Sequence, residues 1–238
     1  INLARQLSEA YPSMKFIPVY WMASADHDFD EISQFRLFDQ LYTWKTSQKG
    51  AVGRFSNEGV EEVLASLPEA VPLFEKAYRE HKTLSEATRF LVNELFGQQG
   101  LLILDADNPK LKAEFSDFVH QDIFEGISNR LVEDTSQKLN KNGYKSQVYS
   151  RKINFFYLDK NQRQRIVFED GKYQLVDGSR SFTADELGDL IRKKPENFSP
   201  NVITRPLYQE TILPNLAYVG GPAEIAYWFQ IRDIFRHY

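Results

Sequence analysis

Asp26-His27-Asp28 places an imidazole between two carboxylates, inside the stretch Trp21-Met22-Ala23-Ser24-Ala25-Asp26-His27-Asp28-Phe29-Asp30-Glu31. A histidine so flanked can have its tautomer fixed and its proton affinity raised. It can then act as a general acid or base, or donate to a developing oxyanion. The competing reading is structural. Asp is a favoured N-cap, so Asp26 or Asp28 caps a following helix and His27 is a polar loop residue. Asp30 and Glu31 suit the positive end of that helix. No metal site is expected, because His27, His81, His120 and His237 lie far apart in sequence and the chain has no cysteine.

Three further groupings can carry chemistry. In Asp105-Ala106-Asp107-Asn108, acidic groups at a strand's carboxyl end can bind ribose hydroxyls, an amine or Mg²⁺. Here Asp105 reads as functional, and Asp107 or Asn108 as the cap of a helix opened by Pro109. In Tyr218-Val219-Gly220-Gly221-Pro222-Ala223-Glu224, glycines allow close backbone approach to an anion at a helix start. Glu224 would repel phosphate there and instead suits an amino group. The competing reading of Gly220-Gly221 is a simple turn. In Asn201 to Glu210, Arg205 follows the apolar pair Val202-Ile203 and can clamp a carboxylate or phosphate in a bidentate pair. Its structural alternative is an ion pair with Glu210. Neither a Walker A motif nor G-x-G-x-x-G occurs. The aromatics at 228, 229 and 235 read as core.

These groups need elements to hold them. Phe16-Ile17-Pro18-Val19-Tyr20 and Gly100-Leu101-Leu102-Ile103-Leu104 are compact apolar runs, and both read as buried strands of a parallel sheet. Asp26–Asp28 and Asp105 then fall just beyond strand ends, where open α/β sheets bind ligands. Residues 1–11 read as a helix ended by Tyr11-Pro12. A hairpin is expected around Asp39-Gln40 and a turn or short strand at 50–55. Three helices follow within 57–96, the third opened by the capping box Thr83-Leu84-Ser85-Glu86. A long helix is expected from Pro109 to about Leu139. Residues 140–195 carry short strands at 153–158, 165–168 and 173–176, then a helix capped by Thr183 that stops before Pro195. Val202-Ile203 reads as a strand, and a helix starts at Ala223. The helix–strand–helix rhythm points to an α/β fold with a doubly wound parallel sheet.

The bulk composition narrows the class. The chain has 238 residues, 42% of them hydrophobic and 14% aromatic, so a sizeable core is within reach. The net charge of −4 comes with no basic stripe, which argues against a nucleic-acid partner. No apolar run approaches the ~20 residues needed to span a bilayer. The absence of cysteine fits a cytoplasmic protein. Both ends fall inside helical patterns and no signal peptide precedes them, so the chain reads as the middle of a longer protein.

Three long motifs in this order resemble one known family. Phe16–Ala23 running into Asp26-His27-Asp28-Phe29, Gly100–Lys112, and Ile212-Leu213-Pro214-Asn215-Leu216-Ala217-Tyr218-Val219-Gly220-Gly221-Pro222-Ala223-Glu224-Ile225-Ala226-Tyr227-Trp228 look like the bacillithiol biosynthesis cysteine-adding enzymes, the cysteine ligases. One departure stands out: the family segment usually reads acidic before Asp-His-Asp, and this chain has Ala25. The resemblance implies a ligase that joins cysteine to glucosaminyl malate in the last step of bacillithiol synthesis. It implies a Rossmann-like core akin to class I aminoacyl-tRNA synthetases, and a homodimer built through a C-terminal coiled coil outside this chain. On this reading residues 1–38, 83–139 and 198–238 form the core, 39–82 a hairpin and helical insertion, and 140–197 a small β-rich insertion.

By analogy with the synthetases ATP is the suspected energy source, with Mg²⁺ as an option. His27 is then the candidate base and Asp28 the residue that orients it, with Asp26 beside them. Trp21, Asp105, Arg205, Asn215, Tyr218, Gly220, Gly221 and Glu224 are the candidates for binding substrate or nucleotide. The alternatives from other classes are a nucleotide-binding transferase on the same fold, or a non-catalytic scaffold whose acidic loops only cap helices.

Overall fold

The computed structural model describes residues 1–160 and 162–238. The chain divides into two units. One comprises Ile1–Asp107 with Lys160 and Gln162, the other Asn108–Asp159 with Arg163–Tyr238.

The first unit opens with helix α1 (Asn2–Ala10) and strand β1 (Val19–Met22), then the short helix α2 (Phe29–Ile32). Strands β2 (Gln34–Leu37) and β3 (Gln40–Thr43) form an antiparallel hairpin. Its turn is Phe38-Asp39, with φ of 48° and 65° at the two residues. Two successive positive φ values match the twist of the flanking strands, at a conformational cost for a residue as bulky as Phe. A 3₁₀ turn at Val52–Arg54 precedes α3 (Val60–Ala65), α4 (Pro72–Glu80) and α5 (Leu84–Phe96). The capping box is formed as expected: Thr83 accepts from the Glu86 backbone and Glu86 accepts from the Thr83 backbone. Strand β4 (Leu102–Asp105) closes the unit and pairs in parallel with β1, with Trp21 opposite Leu104 and Met22 opposite Asp105.

Two expectations about this sheet change. The first strand starts at Val19 rather than Phe16, since Pro18 has no N–H for a ladder and contributes only its carbonyl, to Leu102. The strands are also not buried on both faces. Val19, Tyr20 and Leu102 are exposed, and Met22 and Leu104 face inward. An apolar cluster of the unit lies elsewhere, where Trp44, Val52, Phe55 and Val60 pack with Phe29. Phe29 meets the Trp44 ring edge-on at 5.1 Å, a favourable aromatic geometry.

The second unit begins with three helices, α6 (Pro109–Glu114), α7 (Ser116–Glu125) and α8 (Ile127–Lys141), where one long helix was expected. Gly126 sits at φ 64° between α7 and α8, a left-handed residue that ends a helix. A five-stranded sheet follows: β5 (Phe155–Leu158), β6 (Arg163–Glu169), β7 (Lys172–Leu175), β8 (Ser181–Phe182), then helix α9 (Ala184–Lys193) and strand β9 (Phe198–Pro200). The order is β8-β7-β6-β5-β9 and every pair is antiparallel. Of the doubly wound parallel sheet, the described residues show the β1–β4 pair. Phe155, Leu158, Ile166, Leu175, Leu187 and Ile191 are buried at the sheet–helix core. The strand expected at Val202-Ile203 is a turn. It leads into α10 (Arg205–Ile212), and the chain reaches α11 (Pro222–His237), which packs along α8. Among the described residues, no helix is long and apolar enough to cross a membrane.

Candidate functional site

In the first unit, Asp26, His27 and Asp28 lie on the loop between β1 and α2. Asp26 Oδ1 stands 3.3 Å from His27 Nδ1 and also accepts the His27 backbone N–H at 2.7 Å. Asp28 Oδ1 is 3.7 Å from the same Nδ1, an ion-pair rather than a hydrogen-bond distance. Asp28 is the N-cap residue of α2 but makes no side-chain cap bond. All three side chains are exposed, His27 by 41%. One ligand atom from each lies within 4.8 Å of the others. A search for histidines near one another in sequence passes over such a trio. Exposed acidic groups of this kind are common without an ion.

What holds this loop is backbone and a partly buried polar set beneath it. The Ser24 hydroxyl donates to Asp105 Oδ1, which also accepts the Asp107 N–H at 2.9 Å. The Gly53 N–H donates to the Ser24 carbonyl at 2.9 Å, and the Val52 N–H to the Asp26 carbonyl at 2.7 Å. A Cβ at Gly53 would lie 2.5 Å from Ser24 Cβ, so only glycine admits this approach. Arg54 grips Asp107 with two bonds, Nε to Oδ2 and Nη2 to Oδ1. Asp105 is therefore committed to joining the loops after β1 and β4, which leaves less of it for a ligand. Asp107 is an ion-pair partner, not a cap. Asn108 is the cap, accepting from the Lys110 N–H at 2.9 Å. Trp21 sits half-buried on β1. Ser24, Gly53 and Arg54 were not among the expected site residues, and no local pattern marks them.

In the second unit, Arg205 opens α10. Its Nη2 lies 3.2 Å from each of Tyr218 Oη, Glu224 Oε1 and Tyr227 Oη, and its Nη1 3.1 Å from Gln209 Oε1. Tyr218 donates to the same Glu224 oxygen at 2.8 Å. The ion pair expected with Glu210 is replaced by one with Glu224. Glu210 instead accepts from the Asn215 side chain at 2.8 Å and from its backbone at 3.1 Å, so Asn215 secures the turn after α10. Burial pulls the Arg205 guanidinium down, but its contacts with Tyr227 and Tyr218 outweigh that and leave it above its ordinary value. Burial and Glu224 together hold the Tyr218 phenol up against the opposing pull of Arg205. The pair is thus a permanent cation beside a neutral phenol.

Gly220 and Gly221 lead into α11 beside this cluster. A Cβ at Gly220 would come 2.8 Å from the Tyr218 ring and 3.2 Å from Glu224, whereas nothing lies within 4 Å of one at Gly221. The Tyr218 ring stacks on Trp228 at 4.5 Å. Trp228 and Phe235 are half-buried, but Phe229 is 62% exposed, so the expectation that all three are core fails for it. Tyr227 was missed at the sequence level, although its position three residues after Glu224 puts the two on one helix face.

The whole chain, residues 1–238, matches the sequence model of the Bacillithiol biosynthesis BshC, N-terminal Rossmann-like domain. Among curated relatives, the protein named "Putative cysteine ligase BshC" of Christiangramia forsetii is 43% identical over 249 residues, covering 99% of this chain and 46% of the relative. The protein of the same name from Flavobacterium johnsoniae is 43% identical over 245 residues, with 99% and 46% covered. That from Cytophaga hutchinsonii is 40% identical over 238 residues, with 100% and 46% covered. The chain therefore spans about half the length of the curated relatives it matches.

Proposed function

We infer the function from the family to which this chain belongs, that of the BshC N-terminal Rossmann-like domain of bacillithiol biosynthesis, and from the two clusters it carries. In its full-length form the protein is proposed to be a carbon–nitrogen ligase. It joins the carboxyl group of cysteine to the amine of glucosaminyl malate, the last step of bacillithiol synthesis. The observation that carries this reading is the match to cysteine ligases along the entire chain. A synthetase-like, doubly wound core and a homodimer through a C-terminal coiled coil belong to the same proposal.

Two chemical demands follow. Amide formation from a free carboxylate is uphill in water, and the sugar amine must be neutral to attack. ATP, when bound, would supply activation of the carboxyl group. The backbone of Gly220 and Gly221 at the start of α11 fits its phosphates in kind, since Gly221 is open and a helix start offers N–H groups and a positive dipole end. Glu224 is the misfit to a phosphate and the fit to the cysteine ammonium. Arg205, held charged, suits a carboxylate of malate.

His27 takes the proton of the attacking amine in this proposal. Asp26 at 3.3 Å from Nδ1 favours the tautomer with its proton on that nitrogen, so Nε2 becomes the acceptor. Asp26, closer than Asp28, is then the orienting carboxylate. The test is the full-length protein incubated with cysteine and glucosaminyl malate, with and without ATP, and product followed by mass spectrometry. An ATP-dependent amide product is expected. No amide under either condition, with nucleotide still bound, would favour a transferase of another substrate.

A further inference from the structure

A buried polar network reaches the Arg205 cluster from below, and its centre is Asn154. This side chain is fully buried, and its amide uses all of its bonding capacity, two donors and two acceptors. Nδ2 donates to Ser128 Oγ and to the Arg151 carbonyl, each at 2.9 Å. Oδ1 accepts from the Arg151 N–H and from Asn201 Nδ2, each at 3.0 Å. The Asn154 carbonyl accepts twice more, from the Asn201 N–H at 3.1 Å and from the buried Thr204 hydroxyl at 2.9 Å.

The two residues so gripped place the start of α10. The Asn201 carbonyl accepts the Arg205 N–H at 2.9 Å, and its side chain accepts the Ile203 N–H at 2.8 Å. Thr204 is the N-cap residue of α10 but makes no side-chain cap bond within the helix. Its hydroxyl donates to the Asn154 backbone carbonyl instead. On the far side, Ser128 donates to the buried carboxylate of Asp122 at 2.7 Å, which anchors the network to the α7–α8 junction. A guanidinium that must meet three oxygens at one nitrogen tolerates little displacement of its backbone.

We propose that Asn154 is a positioning residue for Arg205, setting the geometry with which that side chain engages the anionic substrate. The proposal rests on the reading of Arg205 as a substrate-binding residue given above. Nothing near Asn154 in sequence signals the role. It emerges because β5, the 201–204 turn and the α7–α8 junction meet at this one residue, through its side-chain amide and its backbone carbonyl.

The test uses the full-length ligase and four variants: Arg205→Ala, Asn154→Ala, Thr204→Val, and Arg205→Ala combined with Thr204→Val. Thr204→Val removes the bond to the Asn154 carbonyl with little change in shape, so it tests that arm of the contact where Asn154→Ala, which removes the side-chain arm to Asn201, does not fold. The readouts are KM for glucosaminyl malate, kcat, and thermal midpoint. Thr204→Val is expected to raise KM by about tenfold, the weight of the charge-assisted hydrogen bond that a displaced Arg205 loses to the substrate, with kcat changed much less. In the Arg205→Ala background the same substitution is expected to leave KM unchanged. Equal KM penalties in both backgrounds, or no KM change while Arg205→Ala has one, would overturn the positioning role. An Arg205→Ala protein with normal KM and kcat would overturn the site reading itself, and the inference with it.

Discussion

The Asp26–Asp28 loop and the Arg205–Glu224 cluster are held in place by opposite means. The loop side chains stand in water, with His27 41% exposed. Their positions come from backbone bonds to Ser24 and Asp26 and from the Ser24–Asp105 and Arg54–Asp107 contacts underneath. In the second cluster the functional side chains hold one another. Arg205 is 21% exposed and bonds Glu224, Tyr218, Tyr227 and Gln209 directly. The contrast suits two jobs. A proton-transfer group needs access and freedom to change charge. A binding group gains strength and direction from partial desolvation and from partners that fix its rotamer.

The largest effect separating the two is expected at His27. His27→Ala in the full-length protein should lower kcat by about 10²–10⁴-fold, the usual range for a general base, with the thermal midpoint unchanged because the side chain is exposed. Steady-state turnover beside a thermal melt checks both halves, and full turnover in this variant would remove the base role. Gly53→Ala should act through the backbone. With a Cβ 2.5 Å from Ser24 Cβ and 2.8 Å from the Ser24 carbonyl oxygen, it is expected to cost about 1–3 kcal/mol, as overpacking does. Urea unfolding measures that loss, and unchanged stability would mean the loop is not held from beneath.

Arg205→Lys keeps the charge but loses the planar fork. About 1 kcal/mol of binding should go, seen as a KM raised several-fold for glucosaminyl malate, with the thermal midpoint lowered too, because Lys cannot bond Gln209, Tyr218, Tyr227 and Glu224 together. The smallest effect concerns pH. Burial holds the Asp122 carboxyl above its ordinary value of 3.8, and the two Ser128 bonds oppose this. The folded chain therefore holds that proton more tightly than the unfolded chain. The resulting stabilisation is full below the ordinary carboxylate value and is lost as pH rises through the raised one. Asp122→Asn should flatten that part of the profile, which melting temperatures across mildly acidic pH would reveal.

Much of the local structure was legible from neighbouring residues. The capping boxes at Thr83 and Thr183, the hairpin turn at Asp39 and the Asn108 cap follow from interactions within four positions. Other readings failed for equally physical reasons. Gly126 broke the expected long helix because a left-handed residue ends one. Pro18 delayed the first strand.

For the candidate site, the sequence by itself determined which chemical groups were available: an imidazole between carboxylates, an Arg just after the Val202-Ile203 pair, and a Gly-Gly turn ahead of Glu224. Only the tertiary structure decided their partners. Ser24 meets Asp105 across 81 positions and Arg54 meets Asp107 across 53. Arg205 passes over Glu210 for Glu224, 19 positions on, and Asn154 collects donors from residues up to 50 positions away. Such pairings depend on which elements pack together, and side-chain spacing along the chain encodes only the contacts that a single helix or turn can make.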